Sequence, residues 1–301
     1  MDKVYIKELI NYISPNLREC LKNIETSRWI KAEEIRITIG KPAMLCYNDG
    51  FEYIYKNNEP FICDAQSINE TLMLITENSI YAANDKLVNG FITLKGGHRA
   101  GVCGSAVING GKISAIKDIS SINIRIKREM IGAADKVIKY IICDGQIQNT
   151  LIISPPQCGK TTLLRDIART LGRNRRVSIV DERSEIAAMY NGVAQNDIGL
   201  CTNVLDNCPK AEGIPLVIRS MSPEVVVTDE IGGESDTFAI NYAASSGVKI
   251  ITSAHGGGLN DLIHRRTFKN IIDFFDVFIV LTNIGGTGSI SNIIRRSELD
   301  I

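Results

Sequence analysis

The chain has 301 residues, enough for two domains, and its 34 basic and 34 acidic side chains give no net charge. Neutral charge and the lack of a polybasic block argue against binding nucleic acid through bulk electrostatics. The eight cysteines are scattered without a Cys-x-x-Cys pair, which argues against zinc, and several lie in apolar segments, as reduced core thiols of a cytosolic protein do.

The first residues do not have the character of a secretion signal, because Asp2, Lys3, Lys7 and Glu8 interrupt any apolar run. The longest apolar stretch, residues 271–284, is too short to span a bilayer. We therefore expect a cytoplasmic protein that associates with membranes only peripherally.

Residues 1–130 predict a smaller α+β N-terminal domain of helices, strands and hairpins. Residues 34–39 alternate polar and apolar side chains, as a half-buried strand does, and residues 48–50 (Asn-Asp-Gly) predict a hairpin turn. Residues 67–70 (Ser-Ile-Asn-Glu) predict the capping box of a helix. Further strands are expected at residues 91–94, 99–108, 112–116 and 121–126.

We expect a linker at residues 131–145, because Gly132 and Gly145 favour breaks in regular secondary structure. Within it, a helix is expected over residues 133–143. Residues 146–301 then alternate apolar strands with helical segments. This alternation predicts an α/β domain with a twisted, mostly parallel sheet.

Residues 150–164 predict a phosphate-binding loop between a strand and a helix. Their sequence is Thr-Leu-Ile-Ile-Ser-Pro-Pro-Gln-Cys-Gly-Lys-Thr-Thr-Leu-Leu. Backbone N–H groups and the dipole at the start of such a helix favour an anion. Lys160 is expected to reach the β- and γ-phosphates of ATP, and the Thr161 hydroxyl to bind Mg²⁺. The nucleotide-binding residues predicted here are Pro156, Gln157, Cys158, Gly159, Lys160, Thr161 and Thr162.

The loop departs from the usual phosphate-loop pattern at two positions. Ser154 stands where the pattern has its first glycine, and Gln157 stands where a small residue fits better. Pro155 and Pro156 can stiffen the turn but donate no N–H. A simple strand–turn–helix with a lysine at the helix start therefore remains an alternative reading of this stretch alone.

Acidic residues end two further apolar strands. Residues 224–230 end in Asp229 and Glu230, and residues 177–182 end in Asp181 and Glu182. We expect Asp229 to hold Mg²⁺ through water and Glu230 to activate the attacking water, with Glu182 as a competing base. The 177–182 strand lies between the other two in sequence and favours a RecA-like strand order.

A fourth strand, residues 248–254, ends at His255 and is followed by three glycines. Either His255 or Ser253 is placed to contact the γ-phosphate from the carboxyl edge of a parallel sheet. A structural role for the histidine is the competing interpretation.

Arginines of the first domain are candidates for a contact made in trans. Arg99 follows Gly96-Gly97-His98, and Arg36 and Arg125 lie on predicted strands. An arginine supplied by a neighbouring subunit or domain can stabilise the charge of phosphoryl transfer. Solvated surface arginines are the alternative, and the group is a stronger candidate than any single member.

Long segments of the chain resemble one family, the stage III sporulation protein AA family of RecA-like ATPases, which is related to the motor ATPases of type II and type IV secretion and pilus systems. The similar segments are residues 34–42, 89–93, 96–99, 119–125, 153–166, 180–187, 195–199, 208–213, 218–223 and 228–232. The resemblance implies that serine in place of the first loop glycine, as at Ser154, is usual in that family. Gln157 stands where glycine is expected, and this difference from the family implies that hydrolysis is slow. The resemblance implies that Asp181 or Glu182 lies near the nucleotide and that His255 belongs to a histidine box.

The resemblance further implies a ring oligomer, a hexamer, in the mother cell of an endospore former. There it would hydrolyse ATP to energise a channel to the forespore, docked on membrane-embedded channel proteins. Direct nucleic-acid binding is not expected. Two alternatives remain open: a RecA-like ATPase stimulated by nucleic acid, and a nucleotide-gated assembly scaffold that scarcely hydrolyses ATP.

Overall fold

The structure, a computed structural model, describes residues 3–88, 90–265, 268 and 271–299. Asp2 and Asn89, which belong to segments discussed above, lie outside these residues. The chain divides into two compact units, Met1–Arg128 and Glu129–Ile301. Of the helices that the structure describes, none is both long and apolar enough to cross a membrane.

The first unit is an antiparallel sheet with helices. Its helices are α1 (Lys3–Ile10), α2 (Pro15–Lys22), α3 (Thr26–Lys31), α4 (Ala65–Ile75) and α5 (Ile80–Val88). Its strands are β1 (Glu34–Thr38), β2 (Met44–Tyr47), β3 (Gly50–Tyr53), β4 (Tyr55–Lys56), β5 (Glu59–Pro60), β6 (Ile92–Thr93), β7 (Arg99–Asn109) and β8 (Lys112–Arg125). The main sheet has the order β3-β2-β1-β8-β7-β6, and one face packs on a core that includes Ile35, Ile37 and Ile124.

Local chemistry accounts for the turns and caps of this unit. Gly110 and Gly111 both have positive φ, as the two central residues of a type I′ hairpin turn between β7 and β8 require. The strands predicted at 112–116 and 121–126 form one strand, β8. The capping box predicted at residues 67–70 is wrong: α4 begins at Ala65, and the Asp64 carboxylate caps it by accepting the Ser67 N–H at 2.7 Å.

The second unit is built on a seven-stranded sheet. Its helices are α6 (Ile138–Ile141), α7 (Lys160–Leu171), α8 (Lys210–Met221), α9 (Glu234–Ser245) and α10 (Leu259–Ile263), with 3₁₀ turns at Ile272–Phe274 and Arg296–Glu298. Its strands are β9 (Ile142–Cys143), β10 (Gln146–Ile147), β11 (Thr150–Ser154), β12 (Val177–Asp181), β13 (Met189–Tyr190), β14 (Val193–Ala194), β15 (Thr202–Asp206), β16 (Val225–Glu230), β17 (Lys249–His255), β18 (Val277–Thr282) and β19 (Ser289–Arg295).

The large sheet has the order β15-β12-β16-β17-β11-β18-β19 and is parallel except for β19. Its central strands are buried on both faces, which explains their continuous apolar sequences. In this sheet β17 separates β11 from β16. One sequence interpretation is corrected here: the helix expected over 133–143 is confined to α6, after a non-helical turn that begins at Gly132.

Candidate nucleotide site

The loop between β11 and α7 has the backbone of a tight anion-binding turn. Gly159 caps α7 in the left-handed region at φ +87°, and Lys160 is the first helical residue. Gln157 also lies in the left-handed region, at φ +60°, where a Cβ costs roughly 1–2 kcal/mol. The sequence departure at Gln157 is therefore a position at which the backbone itself favours glycine.

Lys160 is held inside this loop by the loop's own carbonyl groups. Its Nζ donates to the carbonyl oxygens of Ser154 at 3.2 Å and Pro155 at 3.4 Å, and lies 3.4 Å from Glu230 Oε2. The side chain is 12% exposed, whereas that of Glu230 is 50% exposed. Lysine and acid thus meet at the carboxyl edge of the sheet, which is where ligands bind in parallel α/β folds.

The other predicted loop residues have distinct surroundings. Cys158 is buried and its Sγ lies 3.6 Å from the Pro156 carbonyl oxygen, which fits a small packing residue. Pro156 is exposed, and Thr161 and Thr162 are half-buried in the first turn of α7. The Thr161 hydroxyl is therefore near enough to solvent to bind a ligand.

A second glycine-rich loop, residues 283–288, contacts the phosphate loop and was missed from the sequence. Gly288 N–H donates to the Cys158 carbonyl at 3.1 Å. A Cβ placed on Gly159 would come within 3.3 Å of Gly288 Cα and 3.5 Å of a Thr287 methyl carbon. The sequence signal was present in Gly285-Gly286-Thr287-Gly288, but its position depends on β18 pairing with β11.

Asp229 lies at the end of β16 and is 8% exposed. Its Oδ1 lies 2.6 Å from Lys210 Nζ as an ion pair, and neither carboxylate oxygen accepts a hydrogen bond of regular geometry within the part of the chain that the structure describes. Burial raises the pKa of the Asp229 carboxyl, and the bond from Lys210 opposes that shift. A buried carboxylate oxygen without a donor fits the role of holding a hydrated Mg²⁺.

Lys210, the first residue of α8, is the functional residue that sequence reasoning missed. Its side chain is 6% exposed, and Nζ also lies 2.5 Å from Glu182 Oε2. Burial would lower the pKa of this lysine, but the hydrogen bonds to Asp229 and Glu182 outweigh burial and raise it. The buried ammonium therefore stays charged and ties together the ends of β12 and β16.

Asp181 and Glu182, which are adjacent in sequence, are used differently. The buried Asp181 carboxylate accepts the backbone N–H groups of residues 185, 186 and 187 at 2.8–2.9 Å and so fixes the loop after β12. Burial raises its pKa to about 6, although these N–H donors oppose the shift. Asp181 thus supports the loop, and Glu182 is the member of the pair that faces Lys210.

The strand order places His255 beside the phosphate loop. His255 is exposed at the end of β17 and pairs in register with Ser154 of β11. Its carbonyl accepts a hydrogen bond from Arg265 at 2.7 Å, which anchors the backbone and leaves the ring exposed. Ser253 is buried and pairs in register with Glu230. His255 is therefore better placed than Ser253 to meet a ligand.

The three candidate arginines belong to the first unit and share one face of its sheet. Arg36 and Arg125 both bond to Glu34, at 2.7 Å and 3.3 Å, and their side chains are more than half exposed. Arg99 pairs in register with Arg125, and its guanidinium lies 4.5 Å from the centre of the Phe91 ring. Three arginines and one glutamate give this face a net positive charge.

Solved structures with the same fold are known. The chain aligns with a pilus retraction motor, PilT with bound ADP, with a TM-score of 0.58 and 14% identity over 83% of this chain and 74% of that one. The ATPase DotB of Legionella pneumophila aligns with a TM-score of 0.55 and 16% identity over 83% of this chain and 72% of that one. The fold is that of the RecA-like secretion ATPases.

The chain matches the family described as "Sporulation stage III, protein AA" over residues 4–299. It is 37% identical over 296 residues to "Stage III sporulation protein AA" of Bacillus subtilis (strain 168), which covers 96% of this chain and 94% of that protein. The chain belongs to the sporulation stage III protein AA family, as the sequence segments predicted.

Proposed function

We propose that this protein binds and hydrolyses ATP as a motor. The observation that carries the proposal is the meeting of Lys160 with Glu230 at the carboxyl edge of a RecA-like sheet, where the buried Asp229 also ends its strand. In this role the phosphate loop binds the triphosphate through Lys160 and the backbone amides at the start of α7. The strand order β16-β17-β11 supports the RecA-like arrangement.

Thr161 and Asp229 are the residues that would hold Mg²⁺, the latter through water. A Mg²⁺ ion held there with ATP would supply positive charge that offsets the negative charge developing during phosphoryl transfer. Asp229 suits this role because it is buried, Lys210 pairs with its Oδ1 only, and neither oxygen accepts a hydrogen bond of regular geometry within the described residues.

Glu230 is the better candidate for the base that orients and activates water. Its side chain is half exposed and its carboxylate is loosely paired, at 3.4 Å, with a lysine that phosphates would attract. Glu182 is held at 2.5 Å by the buried Lys210, which leaves its carboxylate less free to orient an attacking water. His255 ends β17, which lies between β16 and the phosphate-loop strand β11, and would contact the γ-phosphate.

An arginine in trans completes the proposed site. Arg36, Arg99 and Arg125 lie on one positively charged sheet face, which suits contact with a neighbour's phosphates. Replacing the acting arginine with glutamine should lower turnover about 10³-fold while leaving ATP binding intact. If none of the three single substitutions lowers turnover even tenfold, the trans arginine is not on this face.

Family membership and fold support a proposal for the biological setting. We propose that the protein works in the mother cell cytoplasm as a ring, a hexamer, docked peripherally on membrane-embedded sporulation channel proteins. Nucleotide-driven movement would energise a channel between mother cell and forespore. The name of the Bacillus subtilis relative places that protein in stage III of sporulation, and the motor fold supports the energising role.

Two measurements test this function together. One is steady-state ATP turnover with and without single-stranded DNA, and the other is the size of the protein particle in the presence of ATP. We expect DNA-independent turnover, slow in the isolated protein, and a larger particle with ATP. Turnover that requires DNA would instead indicate the nucleic-acid motor. Assembly with ATP but without turnover would indicate the nucleotide-gated scaffold.

A further inference from the structure

Lys210 joins two acids that end neighbouring parallel strands. Strands β12 and β16 are paired, and the buried Nζ lies 2.5 Å from Glu182 Oε2 and 2.6 Å from Asp229 Oδ1. Because both oxygens contact one nitrogen, they are within about 5 Å of each other, a separation that a bridging divalent ion can span after small side-chain shifts. The side chain of Lys210 is only 6% exposed, so bulk salt does not replace it.

The charge balance of this trio decides which cations it attracts. Without the lysine, the buried Asp229 and the partly exposed Glu182 would be two unpaired carboxylates that attract a divalent ion, since carboxylate oxygens are the ligands that Mg²⁺ and Mn²⁺ prefer. The fixed ammonium fills the space between them and repels a second cation at close range. Lys210 pairs with Asp229 through Oδ1, so Oδ2 is the carboxylate oxygen that the ammonium does not hold.

We propose that Lys210 is a built-in cation that keeps free divalent metal out of the Glu182–Asp229 pair. Metal then enters only as a complex with nucleotide phosphates and meets Asp229 through the oxygen that Lys210 does not hold. Lys210 is thus a positioning residue that makes metal binding conditional on nucleotide, an inference that rests on the proposed function for the identity of that ligand.

Binding of Mn²⁺ alone, followed by the loss of its free-ion electron paramagnetic resonance signal, tests this inference without relying on activity. Lys210→Met should bind one Mn²⁺ without nucleotide at least about tenfold more tightly than the wild type. Lys210→Arg keeps the charge and should behave as the wild type does. Adding Asp229→Asn to Lys210→Met should abolish the new site.

A cooperative thermal transition shows whether Lys210→Met is folded, and Lys210→Gln replaces it if the transition is lost. A folded Lys210→Met or Lys210→Gln that gains no Mn²⁺ affinity overturns the inference, as does a wild type that already binds free Mn²⁺ as tightly. ATP binding by the wild type is measured alongside. If the wild type does not bind ATP with magnesium, the proposed function is refuted. If the wild type binds ATP but the Lys210 variants bind Mn²⁺ no more tightly than the wild type, only the role of Lys210 is refuted.

Discussion

Replacing Gly159 with alanine tests whether the phosphate loop depends on its left-handed residue and on the 283–288 loop. At φ +87° a Cβ costs about 1–2 kcal/mol. The same Cβ would lie 3.3 Å from Gly288 Cα and 3.4 Å from Gly288 N. This contact strains the hydrogen bond from Gly288 N–H to the Cys158 carbonyl, and such a bond contributes about 1 kcal/mol to stability. Alanine also lowers the conformational entropy of the unfolded chain, which offsets about 0.4–1 kcal/mol of the loss.

The net expectation for Gly159→Ala is a loss of about 2 kcal/mol in the free energy of unfolding, with ATP affinity reduced about tenfold as the loop shifts. Urea denaturation and fluorescent-nucleotide titration measure the two effects. Gly257→Ala is the matched control, because Gly257 has no positive φ and a Cβ there meets nothing within 4 Å. If Gly159→Ala is as stable as this control, the proposed strain and loop contact are refuted.

Three further changes have defined outcomes. Gln157→Gly relieves a left-handed residue and should raise stability by about 0.5–1 kcal/mol in thermal unfolding and tighten ATP binding; unchanged values would contradict the strain assigned to Gln157. Burial, aided by the charge of Lys127, lowers the pKa of His98 to about 4. Between about pH 6.5 and pH 4 the unfolded chain therefore binds a proton at this histidine that the folded chain does not bind. The free energy of unfolding falls by roughly 3 kcal/mol over this range. In His98→Asn, unfolding followed by the fluorescence of the single tryptophan, Trp29 in the same unit, should lack that loss; an unchanged pH profile would reject it. Glu230→Gln should bind ATP normally but stop turnover, and equal turnover would transfer the role of base to Glu182.

The sequence predicted the fold class well because four strands of the large sheet in the second unit carry their own signal. Strands β11, β12, β16 and β17 are continuous apolar runs that end in polar residues, and runs of this kind are buried on both faces of a parallel sheet. The family and the RecA-like fold were predicted correctly. The assignment of catalytic, magnesium and nucleotide contacts to individual residues stays a prediction.

The parts that sequence reasoning missed depend on tertiary placement. Lys210 looks like an ordinary helix-start lysine until α8 packs beside β12 and buries it between two acids. The 283–288 loop meets the phosphate loop only because β18 pairs with β11. The sequence does not reveal that β17 separates β11 from β16, because order along the chain does not fix order across a sheet.

The affinity for ATP with and without magnesium tests the central claim most directly. We predict that the wild type binds ATP with magnesium at millimolar concentrations or below, and that removing magnesium weakens binding about tenfold. Lys160→Met should lose binding under both conditions, and Asp229→Asn should lose only the magnesium dependence. Wild-type protein that does not bind ATP with magnesium, or Lys160→Met that binds it equally well, would contradict the account.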